Sequence, residues 1–246
     1  MCRHLGYLGP ARSVGEVLTQ GSNSLRVQSW APKDMRGGGT INADGFGAAW
    51  WTSGTTGLSS YRNSMPIWSD PAVDDVLTGL SSTAVVAAVR SATVGMPVER
   101  SACAPFIDDT WAFSHNGVVF GWPDAMVDLV SEVPTKDLLT LPAPTDSAAL
   151  WVVLRHLLAE HEPEKALRML VARVEQSSPG PRLNLLLGDG STLYATTRHH
   201  ALSVLRTEDS VTVASEPLDD SPGWEAIGDR KFVVARPGHV DITDLD

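Results

Sequence analysis

Apolar residues along the chain fall into short runs separated by glycine, proline and serine. "CRHLGYL", "GFGAAWWT", "STAVVAAVRSAT" and "WAFSHNGVVFG" are rich in valine, alanine and aromatics and predict strands, several of them buried on both faces. The period changes in mid-chain. In "PTDSAALWVVLRHLLAEH", Leu150, Val153, Leu154, Leu157 and Leu158 share one helical stripe behind a Pro/Asp/Ser start. "PDAMVDLVSEV" also has helical spacing, and "PEKALRMLVARVEQ" opens on a proline suited to a first turn. The last third reads as strands again: "LNLLLGDG", "STLYATTRHH", "ALSVLRTE", "SVTVASEP" and "KFVVARPGHVDI", with "GDGST" as a hairpin turn. The order is strands, helices, strands, without a low-complexity linker or an internal repeat. It predicts one α+β domain over residues 2–246, built of two mostly antiparallel sheets with helices packed outside them.

Bulk composition narrows the function. The 246 residues are 43% hydrophobic and 20% charged, which is ordinary for a globular chain. The formal net charge of -10, with no Lys/Arg-rich run, argues against nucleic acid, whose phosphates need a basic footprint. An acidic surface suits a cationic small molecule. Two cysteines, Cys2 and Cys103, make no disulfide framework. No basic segment followed by an apolar run marks a signal peptide, and no apolar stretch approaches the ~20 residues that span a bilayer. The expectation is a cytoplasmic protein with no membrane partner. The histidines do not group: His156 and His161 lie five apart in a helical stretch, and His199 and His200 are neighbours in a strand-like one. There is no Walker A lysine and no G-x-S-x-G elbow, and "RGGGT" lacks a phosphate-binding context. Neither a metal nor a cofactor is expected.

The candidate chemistry starts at "MCRHLGYLG". Cysteine is small enough for Met1 to be trimmed ahead of it. The chain would then open on Cys2, which carries a thiol nucleophile and a free α-amine as its own base. A glycine-dense loop, "WAPKDMRGGGTINADG", lets backbone approach a ligand closely. "AVRSATVG" places Arg90 after a buried strand, and "FSHNGVVFG" holds the pair Asn116–Gly117. Alone, that pair reads as a type I′ turn. Cys103, in "SACAPF", has none of the nucleophile's context and reads as structural.

Taken in order, "MCRHLGYLGP", "QSWAPKDMRGGGTINADGFGAAWW", "AVRSATVGMPVE" and "FSHNGVVFGWP" resemble the class II glutamine amidotransferases of the N-terminal-nucleophile hydrolase superfamily. Within it they are similar to the γ-glutamyl hydrolases of ergothioneine biosynthesis. The resemblance implies a four-layer αββα sandwich and an N-terminal Cys2 thioester mechanism. It implies oxyanion donors at Asn116 and Gly117, a carboxylate clamp at Arg90 and Thr93, an ammonium partner at Asp146, and a further substrate contact at Arg36. Asp146 also fits a helix N-cap. Asp44 and Gly45 would shape the loop. The implied substrate is γ-glutamyl-hercynylcysteine sulfoxide, and the alternative is a glutaminase that supplies ammonia to a separate synthase. A trimethylammonium on that substrate would suit aromatic faces, for which Trp50, Trp51, Trp68, Trp111 and Trp122 are candidates.

Overall fold

The computed structural model describes residues 2–36, 38, 41–52 and 57–245. Met1, and Gly37, Gly39 and Thr40 of the glycine-dense loop, lie outside the described residues. Strand β1 (Arg3–Ser13) is followed by helices α1 (Val14–Thr19) and α2 (Leu25–Gln28). Next come β2 (Phe46–Trp51), β3 (Leu58–Asn63), α3 (Ala72–Asp75), β4 (Ser81–Val89), β5 (Phe106–Ile107) and β6 (Ala112–Val118). The helical middle is α4 (Val127–Ser131), α5 (Thr135–Leu138), α6 (Asp146–Leu158) and α7 (Pro163–Ser177). The remainder is β7 (Arg182–Gly188), β8 (Leu193–Thr197), β9 (Ser203–Arg206), β10 (Val211–Ala214), β11 (Trp224–Ala226), β12 (Lys231–Arg236) and β13 (His239–Asp244).

These strands form two antiparallel sheets, in the orders β11-β9-β10-β1-β4-β2-β3 and β13-β12-β8-β7-β6-β5. Strand alternation sorts the apolar side chains into three cores. Leu5 and Tyr7 of β1 face outward onto α1 and α2, with Val14, Leu18 and Phe46. Leu8 faces inward, where Ala49, Val86, Leu186, Val213 and Val233 fill the space between the sheets. Phe113 and Leu185 of the second sheet face outward onto Leu150, Trp151 and Leu154 of α6 and Leu170 of α7. Three cores between four layers give the expected αββα sandwich. Among the described residues no helix is long and apolar enough to cross a membrane.

Local chemistry sets the boundaries. Ser13 caps α1 by accepting the Glu16 N–H at 3.2 Å, and Pro163 stands in the first turn of α7 as its position predicts. Some expectations need correction. "KFVVARPGHVDI" is a hairpin, because Gly238 takes φ +74 and turns the chain between Arg236 and His239. His199 and His200 lie past the end of β8, where His199 has φ +87, so their rings meet edge-on at 5.1 Å instead of facing opposite ways. "PDAMVDLVSEV" opens as a tight turn at Asp124–Met126 before α4.

Candidate active site

Register brings the candidate residues to one end of the sandwich. Arg3 pairs with Val89, Val89 with Phe46, and Phe46 with Asn63, so the N-terminus of β1, the exit of β4 and the entry of β2 lie side by side. Cys2 precedes Arg3, Arg90 follows Val89, and Gly45 precedes Phe46. The exit of β10 joins them, since Ser215 N–H donates to the His4 carbonyl at 2.9 Å. The end of β6 approaches from the facing sheet. Asn116 Nδ2 lies 3.4 Å from Ser215 Oγ, which also accepts the His4 N–H at 3.0 Å.

Cys2 is half-buried, with Sγ 3.8 Å from the Ser91 carbonyl oxygen. It lines a small cavity together with Arg90, Phe106, His115 and Ser147. Asn116 and Gly117 do not form a hairpin turn. They sit within β6, opposite Asn184 and Leu183. A Cβ on Gly117 would stand 1.8 Å from the Arg182 carbonyl oxygen and 2.5 Å from His115 Nε2, so the strand closes only around glycine. Asn116 is buried, and its Oδ1 has no partner among the described residues.

Arg90 is only 8% exposed, and among the described residues no carboxylate lies within ion-pair distance of it. Its Nη1 donates to the Pro97 carbonyl at 2.8 Å. Its backbone is fixed by the loop ahead of β2: Arg90 N–H donates to Gly45 O at 2.7 Å, Asp44 N–H to Arg90 O at 2.9 Å, and Ala92 N–H to Asp44 Oδ2 at 2.7 Å. Gly45, at φ +115, would place a Cβ 2.4 Å from Cys103 Sγ. Asp44 and Gly45 thus shape the loop, as expected. Burial pushes the Cys103 thiol up to about 11, which leaves it a packing group.

The other predicted residues are placed differently. Asp146 is buried and is the first residue of α6, but the cap is Thr145, whose hydroxyl accepts the Ala148 N–H at 3.2 Å. Asp146 Oδ2 accepts the Val119 N–H at 2.9 Å, and Oδ1 accepts the Ser147 N–H at 2.7 Å and faces its hydroxyl at 3.4 Å. Thr93 is exposed and opens a turn in which its carbonyl accepts the Met96 N–H at 2.9 Å. The Arg36 side chain is 44% exposed and forks onto Asp34 at 3.0–3.2 Å.

Several residues at this site carried no sequence signal of their own. His115 Nε2–H donates to the Arg182 carbonyl at 2.9 Å, and Nδ1 pairs with Ser147 Oγ at 2.9 Å. Arg3, the first residue of β1, and Glu216, just past β10, form a buried ion pair at 2.9 Å. Of the five tryptophans, Trp50 pairs with Val85 at the level of Tyr7, and Trp51 lies one residue further from the site end. Trp111 precedes β6 at its far end, and Trp122 packs toward the α6 core. Trp68 alone of the five is substantially exposed, at 40%. It follows β3, whose last residue Asn63 is on the site line, and it meets Trp30, 42% exposed, edge-on at 5.6 Å. Trp30 was not among the expected aromatics, because it lies in the loop and outside any apolar run.

Residues 19–210 match the family described as glutamine amidotransferases class-II. The chain belongs to that family, and its fold is that of the N-terminal-nucleophile hydrolases. Over its whole length it is 39% identical to the γ-glutamyl-hercynylcysteine sulfoxide hydrolase of Mycolicibacterium smegmatis, all of which it covers. It is 38% identical to the enzyme of the same name from Mycobacterium tuberculosis, covering 97% of it. Two solved structures share the fold. A glutamine aminotransferase class-II domain protein from Silicibacter pomeroyi superposes with a TM-score of 0.70 at 23% identity, over 99% of both chains. The glutamine phosphoribosylpyrophosphate amidotransferase of B. subtilis superposes with a TM-score of 0.62 at 13% identity, and the match spans 99% of this chain and 49% of that one.

Proposed function

We propose that this chain hydrolyses the γ-glutamyl amide of γ-glutamyl-hercynylcysteine sulfoxide to glutamate and hercynylcysteine sulfoxide, as a single cytoplasmic domain over residues 2–246. The observation that carries the reading is the cavity shared by Cys2 and the carboxylate-free, buried Arg90, in a chain with full-length relatives of that activity. With Met1 removed, the Cys2 thiol passes its proton to its own α-amine, whose ordinary pKa is ~7.7–8.0. The thiolate attacks the γ-carbonyl carbon. The oxyanion is held by the Asn116 side-chain amide and the Gly117 N–H. As the C–N bond breaks, the α-ammonium returns the proton to the leaving amine and a γ-glutamyl thioester remains. Water, deprotonated by the same amine, releases glutamate.

Arg90 pairs with the substrate α-carboxylate through the guanidinium nitrogens that Pro97 does not take. Asp146 faces the α-ammonium; its carboxylate can accept about four hydrogen bonds, and backbone N–H groups of the fold take two of them. Thr93 and Arg36, on exposed segments at the rim, complete the substrate contacts. The trimethylammonium lies against the Trp30–Trp68 corner, where each good cation–π contact contributes ~0.5–2 kcal/mol.

The test compares kcat/KM for the hercynyl conjugate, for its analogue with an unmethylated amine, and for glutamine. We expect the trimethylated conjugate to be favoured by roughly tenfold or more over the amine, and that margin to shrink in Trp30→Ala and Trp68→Ala. A preference for glutamine would instead make the chain a glutaminase serving a separate synthase.

A further inference from the structure

The residue behind the nucleophile is itself held by a dense buried network. Arg3 and Glu216 are each 2% exposed. Arg3 Nε donates to Glu216 Oε1 at 2.9 Å, Nη1 to the Cys2 carbonyl at 3.0 Å, and Nη2 to the Asp34 carbonyl at 2.6 Å, with Met35 Sδ 3.2 Å away. Glu216 Oε1 also accepts the Asp34 N–H at 3.2 Å. Its Oε2 accepts the Lys33 N–H at 2.8 Å and the Asn23 side-chain amide at 3.4 Å. One ion pair thus grips four segments: the first residues of β1, the Asn23 turn ahead of α2, the loop that carries Arg36, and the exit of β10.

A buried pair of this kind is weak evidence for stability, because desolvating two charges offsets most of their attraction. Its placement is informative. A nucleophile that is also the chain terminus has no upstream backbone to hold it, and termini fray unless tied down. The sheet register of β1 begins at Arg3, so the ladder does not reach Cys2. Arg3 and Cys2 point to opposite faces of the strand, Arg3 toward the loop and Cys2 toward the cavity. The Arg3 bond to the Cys2 carbonyl therefore fixes the nucleophile's backbone from the side that substrate does not occupy.

We propose that Arg3 and Glu216 are positioning residues of the hydrolytic site: the pair fixes the Cys2 backbone so that its thiol and α-amine keep their orientation toward the cavity, and it seats the Arg36 loop against the same strand. The proposal rests on Cys2 being the nucleophile. It separates from a purely structural role because the two charges can be removed together. Replacing a buried pair by apolar residues of similar size often restores stability. It would not restore the bonds to the Cys2 and Asp34 carbonyls.

The experiment uses full-length protein whose intact mass lacks Met1. Arg3→Met, Glu216→Gln and the double variant R3M/E216L are compared for Tm, for kcat and KM on the γ-glutamyl conjugate, and for alkylation of Cys2 by iodoacetamide. Cys103 serves as the unreactive internal reference. Both single variants should melt below wild type, and the double variant should recover most of that loss. All three should show kcat lower by about 10²-fold with KM within about threefold, the size of effect a small misplacement of a reacting group produces. Alkylation of Cys2 should slow by about tenfold, since the thiol and its amine are no longer held in the reactive geometry of the site. A double variant that regains wild-type kcat with its stability, a loss confined to KM, or wild-type alkylation in the double variant would each overturn the proposal. Should the double variant fail to fold, Arg3→Lys keeps the charge opposite Glu216 and loses the fork to the two carbonyls. Wild-type kcat or alkylation in Arg3→Lys overturns the proposal equally. Absence of wild-type turnover on any γ-glutamyl amide would refute the proposed function instead, and the alkylation ratios would still decide the role of the pair.

Discussion

Ser215 ties Asn116 to β1, with one hydroxyl 3.4 Å from the Asn116 side-chain nitrogen and accepting the His4 N–H at 3.0 Å. With Nδ2 toward Ser215, Asn116 Oδ1 is left buried without a donor. Turning the amide by 180° lets Ser215 Oγ–H donate to Oδ1 and brings the Nδ2 donor to the side where Oδ1 found no partner. A developing oxyanion needs donors disposed in that way. Asn116→Ala should lower kcat roughly 10²-fold with KM little changed. Ser215→Ala should lower kcat about tenfold, by loosening the amide, and should add little on top of Asn116→Ala. Steady-state kinetics of the two single variants and the double check this. Additive losses would make Ser215 independent of the oxyanion donor.

The two residues proposed to hold the glutamyl group, Arg90 and Asp146, should fail in different ways. Arg90→Met should raise KM severely, by the equivalent of about 2–5 kcal/mol of binding, because the substrate carboxylate would be desolvated and unpaired. Asp146→Asn should disturb folding as well as recognition. Both carboxylate oxygens accept backbone N–H groups, so an asparagine NH2 would confront one of them. The expected cost is about 1–3 kcal/mol in unfolding free energy. Unfolding in urea alongside kinetics separates the two effects. Wild-type values in both would leave Asp146 without a role at the site.

Two buried histidines make the fold acid-sensitive. Burial lowers the His4 pKa to about 3, with His115 and Arg3 adding to the effect. Burial also lowers the His200 pKa to about 3, with help from His199 and Arg182. Both are neutral in the folded protein at neutral pH. In the unfolded chain each takes a proton below about 6.5, so the unfolded state binds more protons between pH ~6.5 and ~3. Their contribution is therefore complete above pH ~6.5 and is lost as pH falls toward ~3, at roughly 1.4 kcal/mol per pH unit for each histidine. Unfolding free energies measured at pH 7, 5.5 and 4.5 should fall with that sign, and His200→Gln should flatten the slope. A stability unchanged between pH 7 and 4.5 would contradict it.

The parts of the fold that could be read from the sequence were those fixed by local periodicity. The apolar runs at β1, β2, β4 and β6 and the Leu150–Leu157 stripe of α6 have the right period over enough residues to be unambiguous. The short helices α1 and α2 did not, since 6 and 4 residues span too few turns to show a stripe. The hairpin at Pro237–Gly238 was masked because valines continue on both sides of it. At the site, Cys2, Arg90 and Asn116 stood in recognisable segments. Ser215 and Glu216 did not, because their partners lie 99 and 213 residues away and nothing in "VASEP" announces them. Asp146 looked like a cap because Thr145, one residue earlier, is the residue that has the extended backbone of a cap.

The central claim is that Cys2, as the first residue of the mature chain, carries the γ-glutamyl group. The most direct measurement is rapid-quench intact-mass and peptide analysis during turnover of the γ-glutamyl conjugate. Active protein should lack Met1, with one γ-glutamyl unit acylating the peptide that begins at Cys2 and none on the peptide containing Cys103. Neither adduct nor turnover should appear in Cys2→Ala. Full turnover by protein that retains Met1, or without acylation of Cys2, would contradict it.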